Sequence, residues 1–293
     1  MEKVLITGAN GLLGFELIQK LPKEFEVFKL VKTYNKDLGD NQIVHNFLDE
    51  IDLSRLPKQL DYIFHLAQFR DFKNFPQNSS EIFKVNTLST LSLINYGMNC
   101  GIKKFIYTST GGLYKEIDSP INEDNLMKKH TELDFYCASK LSSELLISSY
   151  SKFIDVQILR PFFIFGPRQS DQMLIPRLIK NIYMKDIIYL SGEKGIHINP
   201  IYVEDAASIL IKLLRIPGSK QINVAGNQVI SISQLSTNIA EIIGKEPNFS
   251  YQSKQKDLIG DNSLLKEIIG EISWTELKES LKETIIKKLA SYA

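Results

Sequence analysis

Cysteine and tryptophan are nearly absent from this chain, and no stretch of it stays apolar for long. It has two cysteines and one tryptophan in 293 residues. Cys100 and Cys137 form no disulfide or thiolate-metal pattern, which excludes the small cross-linked secreted scaffolds and makes a reducing cytoplasm the default compartment. The four histidines (His45, His65, His130, His197) are dispersed and share no ligand spacing, so no metal is expected. An excess of one charge is also missing. With 35 basic and 34 acidic residues the net charge is +1, and neither nucleic acid nor a membrane surface is an expected partner. The longest strongly apolar stretches, such as Phe162-Phe163-Ile164-Phe165, fall far short of the ~18 residues needed to span a bilayer. Met1-Glu2-Lys3-Val4-Leu5-Ile6 runs directly into a strand pattern, so no leader segment is expected. Repeats, low-complexity tracts and flexible linkers are lacking as well.

The chain does have 43% hydrophobic residues, in short runs whose period alternates. Residues 4–7, 27–32, 62–66, 104–108 and 156–159 read as strands that are mostly apolar, as buried parallel strands are. Residues 12–20, 80–100 and 136–150 read as helices between them. This alternation predicts an α/β fold, a parallel sheet covered by helices on both faces. After Gly166-Pro167 the pattern loosens. Residues 173–184, 205–214 and 233–243 look helical, 187–190 strand-like, and 277–293 an amphipathic surface helix. Asp205 is expected to cap a helix beginning at Ala206. Residues 1–167 are read as one domain and 168–293 as a smaller, partly interleaved α/β substrate lobe.

Lys3-Val4-Leu5-Ile6-Thr7 leads into Gly8-Ala9-Asn10-Gly11-Leu12-Leu13-Gly14. A tight turn needs Gly8, close approach of backbone to a pyrophosphate needs Gly11, and close packing of helix on strand needs Gly14. The helix then offers its N–H groups and positive dipole end to phosphate. Placed between an apolar strand and a helix, the turn reads as a dinucleotide site of a Rossmann-type, doubly wound sheet rather than a glycine-rich turn without ligand. An acid after the second strand would take the ribose of NAD, but that strand ends Leu30-Val31-Lys32-Thr33-Tyr34. Lys32 either meets the 2′-phosphate of NADP or is a solvated lysine. The cofactor is therefore NAD or NADP, with a slight lean to NADP.

Tyr136 and Lys140 lie four residues apart in Tyr136-Cys137-Ala138-Ser139-Lys140, which stacks phenol and ammonium on one helix face. A nearby cation favours the phenolate and lowers a pKa that is ordinarily near ~10. Such a phenol can exchange a proton with a sugar hydroxyl. Alone, the pair reads as a buried tyrosine and a solvated lysine; the glycine turn and the motifs below reverse that reading.

Residues 7–14, His65-Leu66-Ala67, Val85-Asn86, 107–114, 136–140, 159–167 and Tyr202-Val203-Glu204-Asp205 resemble, in order and over nearly the whole chain, the extended short-chain dehydrogenase/reductases of the NAD-dependent epimerase/dehydratase family. Members act mostly on nucleotide sugars. The resemblance implies that Thr110, with Ser109 as its competitor, hydrogen-bonds the reacting sugar oxygen, that Tyr136 moves the proton, and that Lys140 holds the cofactor ribose. It implies cofactor contacts from Gly8, Asn10, Gly11, Leu12, Leu13 and Gly14, from Asn46 on the adenine side, and from Phe47, Leu66, Ala67, Asn86 and Pro161. His65 is expected to be a packed structural residue. On the substrate side the resemblance points to Gly111, Phe163 and Arg168.

Departures from the family pattern narrow the reaction. Gly111 and Gly112 stand where sugar 4,6-dehydratases carry an Asp-Glu pair, and Gly112 where combined epimerase-reductases carry a cysteine. Phe163 replaces an asparagine of many members, and Ile198 an arginine that grips the diphosphate. Arg168, Arg177 and Lys194 are substitutes for it or else solvated charges. Phe69, Phe72 and Phe75 wall the sugar pocket or pack under their loop. The expected activity is nucleotide-sugar 4-epimerisation through a transient keto sugar. NADPH-dependent reduction of a 4-keto sugar or another ketone is the alternative, and a non-catalytic dinucleotide sensor a third reading. A cytoplasmic homodimer joined through residues 80–100 and 136–150 is expected.

Overall fold

The structure is a computed structural model and describes residues 1–72 and 74–292. Its contacts divide into two units, each discontinuous in sequence. The first comprises Met1–Leu113, Leu126–Arg160 and Ala207–Ile222; the second comprises Tyr114–Asn125, Pro161–Ala206 and the chain from Asn223 onward.

The first unit is built on β1 (Glu2–Thr7), β2 (Phe25–Val31), β3 (Gln42–Val44), β4 (Tyr62–His65), β5 (Lys104–Thr108) and β6 (Asp155–Pro161). With the edge strand Lys220–Val224 they form a seven-stranded sheet, in the order Lys220–Val224, β6, β5, β4, β1, β2, β3. Pairings from β3 through to β6 are all parallel, with Leu5 opposite both Phe28 and Ile63, and Ile63 opposite Phe105. Leu5, Ile6, Ile63, Phe64, Phe105 and Ile106 are all fully buried, so successive side chains are covered on both faces. That is why these strands read as continuous apolar runs. Helices α1 (Leu12–Lys20), α2 (Ser79–Phe83), α3 (Ser89–Cys100) and α4 (Phe135–Ser148) accompany the sheet. Leu93 and Ile94 of α3 and Ile147 of α4 join Leu5, Ile63, Phe105 and Val156 in one core cluster.

The strand order reverses between β1 and β4, and a crevice outside the carboxyl ends of the strands at such a point is where this class of sheet binds ligands. The two ends are pinned together there. Thr7 Oγ1 lies 2.7 Å from His65 Nδ1 and accepts from Ala67 N at 3.2 Å.

The single helix expected over 80–100 is interrupted. A π-turn spans Lys84–Leu88 between α2 and α3. The Ser89 and Thr90 hydroxyls donate to the carbonyls of Val85 and Asn86, and such back-bonding disturbs the regular ladder. Hydrophobic periodicity is too coarse to register one extra residue in a turn.

The second unit holds helices Leu174–Met184, Ile232–Ile243 and Leu277–Leu289 and a parallel strand pair, Ile187–Ser191 with Asn248–Gln252. The expected cap at Asp205 is corrected. The helix runs Val203–Leu213 and follows directly on strand Ile201–Tyr202, so Asp205 lies within its first turn. Its carboxylate accepts from the Thr275 backbone N–H (3.1 Å) and hydroxyl (2.8 Å). No helix among the described residues is long and apolar enough to cross a membrane.

Candidate active site

Gly8 follows β1 with φ +69°, and a Cβ there would lie 2.8 Å from Ala67 N. Only glycine suits both the left-handed backbone and the close passage of the chain after β4. The Gly11 N–H donates to Gly8 O at 2.8 Å and closes the turn. A Cβ on Gly14 would stand 2.4 Å from Gly8 O, so the first turn of α1 lies directly on the loop. Gly11 occupies the N-cap of α1, and the first turn, from Leu12 and Leu13 onward, carries no acid. Its N–H groups and positive dipole end are therefore left for an anion. Asn10 Nδ2 donates to Thr33 O at 2.6 Å, and its buried Oδ1 has no hydrogen-bond partner among the described residues. A backbone-lined cradle, a helix N-terminus without side-chain acceptors and an orphaned amide oxygen fit a dinucleotide's pyrophosphate.

Around this turn, Lys32 is exposed just past β2. Asn46 Oδ1 accepts from Leu48 N at 3.3 Å in a local turn, and the Phe47 ring meets His65 edge-on at 6.1 Å. Leu66 and Ala67 form the wall against Gly8. His65 is packed. Its two ring nitrogens face the hydroxyls of Thr7 (2.7 Å) and Thr90 (2.9 Å), and burial, helped by the Lys140 charge, pushes its pKa down to about 3. Asn86 has both ends of its amide engaged inside the unit: Oδ1 accepts from Phe69 N (2.8 Å) and Nδ2 donates to Ser139 Oγ (2.9 Å).

Asp134 caps α4, its carboxylate accepting from Cys137 N at 2.7 Å. Capping starts the helix so that Tyr136 falls in its first turn, half-buried, and Lys140 one turn later, fully buried. Lys140 Nζ donates to Thr108 O at 2.7 Å and sits 4.6 Å from the centroid of the Tyr107 ring. Burial pushes its pKa down to about 7, opposed by the charge of Glu144 one further turn along α4. Glu144 is itself held by Arg160 of β6, at 3.0 and 2.6 Å.

Past the end of β5, Thr110 Oγ1 accepts from Gly112 N at 3.1 Å. A Cβ on Gly112 would stand 3.3 Å from that hydroxyl, so a larger residue there would crowd Thr110. Gly111 is buried in the same turn. Ser109, the competitor, is buried, and its hydroxyl has no partner among the described residues.

The Tyr136 hydroxyl donates to Gln68 Oε1 at 2.9 Å, and its ring stacks on Phe72 with centroids 4.7 Å apart. The phenol's pKa is raised, not lowered as expected from the spacing to Lys140. Burial is the main cause, with Tyr107, Cys137 and Asp134 adding to it. The Lys140 ammonium donates to the Thr108 carbonyl, and burial drives it towards neutrality. Of the three phenylalanines in the loop, Phe72 stacks on Tyr136 and Phe75 on Phe135 (5.0 Å). Gln68 escaped sequence reasoning: a lone exposed glutamine after a strand carries no periodicity or spacing signal.

Pro161, Phe163 and Arg168 belong to the second unit. Phe163 has φ +47° and packs against a cluster of Tyr114, Ile121, Phe162 and Ala225. Asparagine enters that left-handed region more readily than phenylalanine, which gives a backbone reason for the family's usual residue there. Arg168, Arg177 and Lys194 are all exposed.

Residues 4–225 match the family model described as NAD dependent epimerase/dehydratase family. The UDP-glucuronate 4-epimerase of Thermodesulfobacterium geofontis (strain OPF15) is 27% identical over 307 residues, 96% of this chain and 94% of that protein. The GDP-6-deoxy-D-talose 4-dehydrogenase of Aggregatibacter actinomycetemcomitans is 25% identical over 299 residues, 98% of each. Among solved structures, the UDP-glucuronic acid 4-epimerase from Bacillus cereus in complex with NAD shares the fold, with a TM-score of 0.88 at 24% identity, covering 99% of this chain and 100% of that one. Through the match over residues 4–225, on a seven-stranded sheet with a glycine turn after β1, the chain belongs to the NAD-dependent epimerase/dehydratase family.

Proposed function

We propose that the protein is a nucleotide-sugar epimerase acting at C4 through a transient keto sugar. The observation that carries this reading is the hydrogen bond from Lys140 Nζ to Thr108 O. It ties the helix bearing Tyr136 to the strand whose continuation bears Thr110, and so fixes the phenol relative to the second hydroxyl. A nicotinamide dinucleotide, when bound, supplies the oxidation and reduction at the sugar carbon. Gly8, Asn10, Gly11 and the first turn of α1 hold its pyrophosphate, Leu66 and Ala67 run along it, and Lys140 holds its ribose. Thr110 holds the reacting sugar oxygen. Tyr136, once ionised, takes that oxygen's proton and returns it when the keto sugar has presented its other face. Holding these groups in register is chiefly an orientation task. Gly111 and Gly112 bring no carboxylate beside Thr110, so elimination of water has no acid or base there.

Residues 168–293, apart from 207–222, serve mainly the substrate, and Phe163 and Arg168 meet its diphosphate end. Lys32, exposed and without a neighbouring acid in sequence, favours NADP over NAD. Exposed Phe83 and Leu88, before α3, and Leu145, on α4, support a homodimer through these helices, and the free Cys100 and Cys137 support a cytoplasmic setting.

A second reading, 4-keto-sugar reduction, is favoured by the proton-bearing phenol of Tyr136, which is already the donor that a ketone oxygen needs. Substituting Tyr136→Phe and identifying the copurified nucleotide by mass test both. Loss of turnover with the dinucleotide retained is expected. An epimerase keeps its nucleotide and consumes none; a reductase consumes NADPH in step with product. Full activity in the phenylalanine variant would overturn either reading.

A further inference from the structure

We propose that Gln68 is a positioning residue for the proton on Tyr136, serving both ionisation states of the phenol by turning its amide. The inference rests on the reading that Tyr136 moves a proton during turnover.

The contact is anchored from both sides. Tyr136 donates to Gln68 Oε1 at 2.9 Å. Before Gln68, the Ala67 N–H is held by the Thr7 hydroxyl at 3.2 Å; after it, the Phe69 N–H is held by Asn86 Oδ1 at 2.8 Å. Asn86 Nδ2 in turn donates to Ser139 Oγ (2.9 Å), and Ser139 Oγ donates to Tyr136 O (2.7 Å). The backbone under Gln68 is thus coupled to the helix turn that carries Tyr136. Phe72 holds the phenol ring in its plane from one face. The Gln68 side chain is exposed, so no core packing depends on it.

A primary amide has an acceptor oxygen and a donor nitrogen on one planar group. A neutral phenol needs an acceptor, which Oε1 supplies. A phenolate needs a donor, which Nε2 supplies after a half-turn of the amide. When the sugar hydroxyl gives its proton to the Tyr136 oxygen, the sugar O–H bond breaks, the phenol O–H bond forms, and the amide turns its oxygen to the new hydroxyl. The reverse transfer turns it back, with no net change at Gln68. Glutamate could serve only the neutral phenol, and leucine neither form.

Difluorotyrosine, whose phenol is more acidic, placed at position 136 reports the titration by fluorine NMR without substrate. Gln68→Glu should raise that titration by about one pH unit or more and move the activity profile in the same alkaline direction. Gln68→Leu should lower kcat about tenfold at every pH with KM little changed, as loss of one hydrogen bond to the reacting group would. Titrations of the Gln68→Glu protein and the parent that superimpose would overturn the proposal, as would a Gln68→Leu enzyme with parental kcat. Tyr136→Phe separates the two levels. If that variant turns over, the functional reading fails; if it is dead while Gln68→Glu changes neither profile, only the role of Gln68 fails.

Discussion

Arg160 grips Glu144 through two hydrogen bonds, from Nε at 3.0 Å and Nη2 at 2.6 Å, and both side chains are almost wholly buried. The pair joins β6 to α4 one turn beyond Lys140. Breaking a buried pair by removing one partner leaves an uncompensated charge, at a cost of about 3–5 kcal/mol. Arg160→Met should therefore destabilise the protein by roughly that amount. The double variant Glu144→Leu with Arg160→Met should recover most of it, because no charge is then stranded. A double-mutant cycle by chemical denaturation checks this, and additive losses would contradict it.

Lys140 titrates in the folded protein at about 7, against 10.5 for an ordinary lysine, because burial disfavours its ammonium. Between those values the unfolded chain binds a proton that the folded chain has released, so stability rises with pH across this window. Below about 7 both states are protonated and the full cost of the buried charge is present. Lys140→Met carries no such charge. Relative to the parent it should be most favoured near pH 6.5, with its advantage shrinking towards pH 10 by at most roughly 1.4 kcal/mol per pH unit. Denaturation at a series of pH values reads this directly, and a difference that is flat with pH would count against it.

A side chain on Gly14 would press on Gly8 O at 2.4 Å, and a backbone oxygen closing a turn cannot step aside. Gly14→Ala should push α1 off the turn, costing about 1–3 kcal/mol despite alanine's better helix propensity. The variant should also bind dinucleotide far more weakly. Calorimetric titration with NAD and with NADP measures the loss, and parental affinity would show that the cradle lies elsewhere.

Much of the frame was legible in the residues themselves. Helix α1 and strand β5 fall where the periodicity puts them, at Leu12–Lys20 and Lys104–Thr108. Their apolar spacing is a local property, and the sheet needs it on both faces. Tyr136 and Lys140 are legible as types at a spacing and Thr110 through the family resemblance, and the structure brings all three into one unit with the glycine turn. What spacing could not supply was the direction of each hydrogen bond. Lys140 faces Thr108 O and not the phenol, and residues 207–222 return to the first unit although nothing in their composition separates them from the second.

By itself the amino-acid order determined the alternation of strands and helices, the glycine turn after β1, and the identities of the hydroxyls and the lysine near it. These follow from backbone freedom, apolar period and residue type, all confined to neighbouring positions. Tertiary structure alone decided that the Tyr136 pKa is raised and gave the phenol Gln68, 68 positions away in the chain, as partner. A group's pKa is set by whatever the fold packs around it, and those neighbours are near in space but distant along the chain.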